Sequence, residues 1–356
     1  MSKPYKVLVV GTGKRGLHHA TAFKNNPAFE LAGLSDVDQG RLDKASADLG
    51  GVKTGTNAAT LAKEVKPDLF CFCTPPNIRL ELIKIGVDSG ARLIAYEKPI
   101  ALSANEGLEI RKIVNSAGVK TVVSHQHRYG SHYAKVAEIA NSGALGRIQM
   151  VYGQAPGWMT HMISHFLDLM RLYNGNVEAQ WVMAQAAGRN KLTDNHPSPD
   201  YISGVIQFAN GVRGYIESGA GAQDVPEVDA WWRKNRVGVQ GTNGFAEALT
   251  GGGWRAVTDK GASSGPGSMN YDLDMPPYVA DMAAWLDDDK KVHPCNGENA
   301  YKSFELTMAL VRSVIERGQV ALPLGPGEIE LDGLRRVLPE RPVLLGFEGT
   351  RKEYFK

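Results

Sequence analysis

Over roughly its first 120 residues the chain alternates short apolar runs with amphipathic segments of helical spacing. The runs YKVLVVG, FELAGLSD, LFCFCTP, ARLIAYEKP and KTVVSH read as strands. Near-continuous apolar runs mark strands buried on both faces, and their alternation with helices predicts a parallel sheet of βαβα type. Each run ends in polar, Gly or Pro residues, and ligands of such sheets bind at that carboxyl edge. After about Ser124 the pattern changes. A helix is predicted over 133–141, followed by the strands RIQMVYGQ, AQWVMAQAAG, YISGVIQFAN and GVRGYIESG. Consecutive strands predict an open, mostly antiparallel sheet, so an α/β Rossmann domain over 1–124 is followed by an α+β domain over 125–356. The Gly- and Ser-rich stretch 251–267 reads as a loop without phosphate-binding context. PPYVADMAAWLDD and AYKSFELTMALVRSVIERG read as helices, the second capped by Gly318, and the tail 323–356 reads as irregular.

Composition narrows the class. With 43% apolar and 22% charged residues over 356 positions, disorder is excluded and two domains fit. Forty basic and 38 acidic side chains, with no long run of one sign, argue against a nucleic-acid surface. The apolar stretch near the N-terminus is only about five residues long, too short for a signal peptide or membrane span, so a cytoplasmic location is expected. Cys71, Cys73 and Cys295 make an odd count with no metal-type spacing beyond Cys71 and Cys73. Cys71 and Cys73 fall on one face of a strand as small hydrophobes, and no disulfide is expected.

In VLVVGTGKRGLHHATAF, Gly11, Gly13 and Gly16 lie between a strand and a helix. Gly11 permits the tight turn, Gly13 lets backbone approach a pyrophosphate, and Gly16 allows close helix–strand packing. Thr12, Lys14 and Arg15 fill the same loop at the helix N-terminus, whose free N–H groups suit phosphates. Asp36 ends the second strand, 20 residues beyond Gly16, where a carboxylate can accept from both ribose hydroxyls and would repel a 2′-phosphate. NAD is therefore the expected cofactor. The other reading of Asp36 is a helix N-cap. Glu97, Lys98 and Pro99 close the strand RLIAY at the same edge. Lys98 can assist removal of a hydroxyl proton if its pKa is lowered; otherwise it is an exposed loop lysine.

GTGKRG, TPPNIR, AYEKPIA, HQHRYG, ANSGALGRIQMVYG and SHFLDLMRLYNG occur in order, and with them the sequence resembles the Gfo/Idh/MocA family of glucose-fructose oxidoreductase and inositol dehydrogenase. The resemblance implies a Rossmann domain, an α+β domain whose open sheet builds homodimers or homotetramers, and an active site between them. It places Lys98 as the catalytic lysine and Glu97 as its partner near the nicotinamide. It also places Thr74, Pro75 and Pro76 along the cofactor, Gln126 and Arg128 in the segment beneath it, His165 as the active-site histidine, and Asp168 as the acid that follows.

Two positions depart from the family pattern: His161 stands where an aspartate is common, and Arg79 where a histidine is usual. His161 and His165, four apart, would share a helix face. They read as an acid/base pair or as one structural and one active-site imidazole, and no metal is expected. Trp158 could stack on a sugar ring, as could Trp231 and Trp232. The leading functional expectation is an NAD-dependent dehydrogenase of a sugar or cyclitol hydroxyl, with Lys98, His165 and His161 catalytic and Arg128, Trp158 and Asp168 on the substrate. The alternative is a redox-neutral, NAD-dependent glycosidase or lyase working through a transient keto-sugar. A non-catalytic NAD sensor is disfavoured because Lys98 and His165 are both present.

Overall fold

The computed structural model describes residues 3–156, 159–223, 225–229 and 233–340, with only the backbone of 159–161. The first elements are β1 (Tyr5–Val10), α1 (Lys14–Asn25), β2 (Phe29–Ser35), α2 (Gln39–Asp48), β3 (Thr54–Gly55), α3 (Ala58–Val65), β4 (Leu69–Phe72), α4 (Arg79–Asp88), β5 (Leu93–Tyr96), α5 (Ala104–Ala117) and β6 (Lys120–Val123). There follow α6 (Ser131–Asn141), β7 (Ile148–Ala155), α7 (Met159–Tyr173), β8 (Ala179–Ala187), β9 (Tyr201–Phe208), β10 (Arg213–Gly219), β11 (Arg236–Gly241), β12 (Gly244–Leu249), β13 (Gly253–Thr258) and β14 (Gly261–Gly265). The last are α8 (Tyr271–Asp287), α9 (Gly297–Glu316), β15 (Val320–Ala321) and α10 (Glu330–Val337).

The chain divides into two compact units. The first comprises residues 1–101, 106–129 and 270–301. Its sheet is parallel throughout, in the order β3-β2-β1-β4-β5-β6. That order reverses direction between β1 and β4, the switch point where the carboxyl edge opens a crevice. Val7, Val9, Leu34, Leu69, Leu93 and Val122 are fully buried in its core. Met275, Tyr278, Val279, Met282 and Leu286 of α8 join the same cluster. At about 1.5–3 kcal/mol per large apolar side chain buried, α8 contributes on the order of 10 kcal/mol to this unit before entropy is counted. It is thus a structural part of the Rossmann unit, supplied from far beyond position 124.

The second unit comprises residues 102–105, 130–269 and 302–356. Its sheet runs β14-β13-β12-β11-β7-β10-β9-β8-β15, antiparallel except for the β7–β10 pair. Helix α7 lies close on it: a Cβ on Gly153 would stand 3.1 Å from Phe166 Cβ and 3.2 Å from Met170 Sδ. The α/β unit followed by an open, mostly antiparallel sheet is the architecture expected from the sequence.

Four local expectations are corrected. Stretch 251–267 is no loop: β13 and β14 form a hairpin at the sheet edge, where small exposed residues are tolerated because one face needs no burial. Helix α8 starts at Tyr271, with the Asn270 side chain accepting from Asp272 N–H, five residues before Pro276. Pro276 and Pro277 fall in its second turn, and the carbonyls they leave unbonded belong to exposed Asp272 and Leu273. Arg317, not Gly318, takes the left-handed conformation after α9, at φ +56°. The tail contains α10, anchored by Glu330, which accepts from Arg312 and from Ala104 N–H, each at 3.0 Å.

Candidate active site

Backbone bonding carries the first sheet past its strand ends and gathers the candidate loops. Gly11 N–H donates to Ser35 O at 2.7 Å, Cys73 N–H to Val10 O at 2.8 Å, and Ser124 N–H to Tyr96 O at 2.9 Å. Gly11, Asp36, Thr74, Lys98 and Gln126 thereby all follow the carboxyl ends of adjacent strands. The three glycines are constrained differently. Gly11 has φ +87°, and a Cβ there would stand 2.6 Å from Cys73 O; one on Gly16 would stand 1.7 Å from Gly11 O. A Cβ on Gly13 would meet nothing within 4 Å, so the backbone before α1 faces open space. Lys14 is exposed beside it.

Asp36 is not the cap of α2. Asp38 is, its side chain accepting from Arg41 N–H. Asp36 Oδ2 accepts from Thr12 N–H at 2.8 Å and Thr12 Oγ1 at 3.1 Å, and Oδ1 from Arg41 at 2.9 Å. Burial would raise its pKa, but these donors outweigh burial and hold it below the usual carboxylate range. An ionised carboxylate at the end of β2 and an open Gly13 at the N-terminus of α1 are the features an NAD ribose and pyrophosphate require.

On the other side of the switch point Glu97 is the hub. Its Oε1 pairs with Arg15 at 3.0 Å and with His19 Nε2 at 3.3 Å. Arg15 also donates to the Gln126 carboxamide oxygen at 2.9 Å, and its guanidinium stacks 3.9 Å from the centroid of the Tyr271 ring. Burial works against the Glu97 carboxylate, yet Arg15, His19 and Lys98 hold its pKa far below normal. Fully buried His19 places its Nδ1 3.8 Å from Cys71 Sγ. Burial disfavours its cation, but Cys73 and Glu97 outweigh that and raise its pKa to about 9. Lys98 is half-buried, and its peptide bond to Pro99 is cis. Burial lowers its pKa against the pull of Glu97, with Arg15 and Arg79 adding to the decrease, to about 8. This is an amine able to exchange a proton near neutral pH.

Thr74 and Arg128 are half-buried, Pro75 is exposed and Pro76 is buried. In the second unit His165 and Asp168 lie on α7, 5% and 2% exposed. Asp168 accepts from Ser303 Oγ, which in turn accepts from Arg171, each at 3.4 Å. His161 lies one turn before His165, but its side chain is outside the described residues, as are Trp158, Trp231 and Trp232. Sequence reasoning missed His19 and Tyr271. The spacing of Arg15 and His19, one turn apart on α1, was the available signal for the first; nothing local marks Tyr271.

Residues 5–125 match the GFO_IDH_MocA model, described as an oxidoreductase family with an NAD-binding Rossmann fold. Residues 5–125 thus carry a domain of the Gfo/Idh/MocA oxidoreductase type. The matched NAD-binding fold lies in the first unit. The chain is 22% identical over 341 residues to myo-inositol 2-dehydrogenase of Thermotoga maritima, covering 89% of this chain and 98% of that one. It is 23% identical over 263 residues to an uncharacterised oxidoreductase, YrbE, of Bacillus subtilis, covering 70% and 74%. In fold it is similar to scyllo-inositol dehydrogenase of Lactobacillus casei, solved with NAD(H) and scyllo-inositol, at a TM-score of 0.68 and 16% identity over 90% of this chain and 99% of that one. Among the described residues no helix is long and apolar enough to cross a membrane.

Proposed function

We propose that the protein oxidises a secondary hydroxyl of a sugar or cyclitol, with Lys98 as the group that takes the hydroxyl proton. The observation that carries this reading is the Lys98 amine itself: half-buried at the carboxyl edge and titrating at about 8 beside an ionised Glu97. Bound NAD supplies the hydride acceptor; the chain's part is orientation and proton control. Lys98 binds the substrate hydroxyl and accepts its proton, while Arg15 and His19 fix the Glu97 carboxylate next to it. His165 enters through the family resemblance as a second proton-handling residue, with Arg128, Trp158, His161 and Asp168 as substrate residues; the burial of Asp168 against Ser303 favours an orienting part for it.

The names of the relatives favour net oxidation over the redox-neutral alternative. We take the second unit, rather than all of 125–356, as the substrate and assembly domain. The open face of its sheet bears a cavity of about 700 Å³ lined in part by Tyr152, Met183, Tyr215 and Glu217, which contains none of the candidate site residues. That face supports a homodimer or homotetramer, checked by light scattering. For the activity, the purified protein with NAD is offered a panel of inositols, aldoses and glycosides, with reduced cofactor and product both quantified. One NADH per substrate consumed is expected; Lys98→Ala should lose most turnover and keep NAD binding. Product without NADH, or unimpaired Lys98→Ala, would refute the reading.

A further inference from the structure

Among the described residues the largest fully buried side chain is a cation at a helix start. Arg79, 1% exposed, is the first residue of α4, where the helix dipole disfavours positive charge. Its hydrogen bonds go to neutral oxygens: Nε to Pro99 O at 3.1 Å, one terminal nitrogen to Lys98 O at 3.4 Å, and the other to Thr74 Oγ1 at 3.5 Å. The guanidinium carbon lies 5.4 Å from the centroid of the Phe72 ring, which stacks on Tyr96 at 5.0 Å. A buried guanidinium is costly unless its donors are used. Here they are spent on the two loops that follow β4 and β5.

We propose that Arg79 is a positioning residue for Lys98: its buried guanidinium ties the Lys98 and Pro99 carbonyls to Thr74 and fixes a positive charge beside the lysine. This rests on the reading of Lys98 given above. The fork acts in two ways. Two carbonyls and a hydroxyl held by one rigid plane set where the Lys98 side chain departs from the backbone, which a lysine at 79, a single-point donor, cannot reproduce. The fixed charge disfavours the Lys98 ammonium. Within the first unit the charged groups acting on Lys98 are Glu97, which favours its protonation, and Arg15 of α1 and Arg79 of α4, which oppose it. Of the two cations Arg15 contributes the larger part and Arg79 the smaller.

The titration arm of the test reads Lys98 directly and needs no substrate; the turnover arm uses a substrate found in the panel above. Lysines of the full chain are reductively methylated with ¹³C-formaldehyde and titrated by NMR, the Lys98 signal being assigned by its absence in Lys98→Arg. In the wild type it should titrate near 8, apart from the surface lysines near their ordinary value of about 10.4. In Arg79→Gln its midpoint should rise by roughly 0.5 pH unit or more, a threefold or larger loss of neutral amine below it. In Arg79→Lys, which keeps a cation, the midpoint should stay below that of Arg79→Gln, while kcat falls tenfold or more and the NAD Kd stays within about twofold. An unmoved Lys98 midpoint in Arg79→Gln would overturn the charge effect, and wild-type kcat in Arg79→Lys would overturn the clamp. Should Arg79→Gln not fold, Arg79→Met and Arg79→Lys carry the same comparison. Full turnover in Lys98→Arg would instead sink the proposed catalytic reading, while a shifted midpoint would still stand.

Discussion

Replacing Gly13 by alanine separates cofactor binding from folding, because the three loop glycines are constrained differently. Gly13 has φ −66° and ψ −177°, an extended conformation open to any residue, and its added Cβ would meet no protein atom within 4 Å. The folded state should therefore accept the methyl, and the stiffer unfolded chain gives a gain of about 0.4–1 kcal/mol, a melting temperature unchanged or raised by a few degrees. The same methyl stands where the pyrophosphate must approach the N-terminus of α1. Losing one charge-assisted bond to a phosphate costs about 1.5–3 kcal/mol, so the NAD Kd should rise roughly 10- to 100-fold. Gly16→Ala is the contrast: its Cβ would fall 1.7 Å from the Gly11 carbonyl oxygen, a backbone atom, and that variant should lose stability outright. Isothermal titration with NAD and thermal unfolding of both variants decide the matter. Wild-type NAD affinity in Gly13→Ala, or a large drop in its melting temperature, would refute the assignment of this loop.

Asp36→Ser should weaken NAD by about tenfold and improve NADP, since Arg41 is freed from its bond to Asp36 Oδ1; titration with both nucleotides checks it. His19 has a folded pKa raised from 6.5 to about 9, so its stabilisation is complete below pH 6.5 and is lost as pH rises through 9. That is on the order of 3 kcal/mol, and thermal melts from pH 6 to 9.5 should fall more steeply for the wild type than for His19→Gln. Glu330→Ala strips Arg312 of its partner and Ala104 N–H of its acceptor, and should cost about 3–5 kcal/mol in denaturant unfolding; a loss under 1 kcal/mol would contradict it.

The parallel strands could be read from the chain because burial on both faces leaves them apolar throughout, as in Leu69–Phe72, all four residues buried. Two-residue β3 is too short for any period, and the β13–β14 hairpin hides because an exposed edge tolerates Gly and Ser. Candidate site residues that would act through backbone, such as Gly11 and Gly13, or at a strand end, such as Asp36 and Lys98, carry their own local pattern. Tyr271 does not, and His19 shows only its one-turn spacing from Arg15. Each gains its place by packing, one through a helix 250 residues away in the chain, and the Arg79 fork depends on carbonyls 19 and 20 residues on, which have no signature in side-chain type.

The late arrival of α8 bears on how the chain is made. Everything in the Rossmann sheet has been synthesised by Val123, yet the helix that carries Met275, Tyr278 and Met282 into its core emerges only after residues 130–269 of the second unit. At roughly 5–20 residues per second, the span from Tyr129 to Tyr301 occupies a ribosome for roughly 10–35 seconds. During that interval the apolar surface awaiting α8 is open to solvent and to chaperones. Nascent chains stalled near residue 200 should be far more protease-sensitive in their first 120 residues than chains stalled past 340. The first unit thus waits through most of the second, and the second, which closes only with residues 302–356, must grow out of an incomplete neighbour.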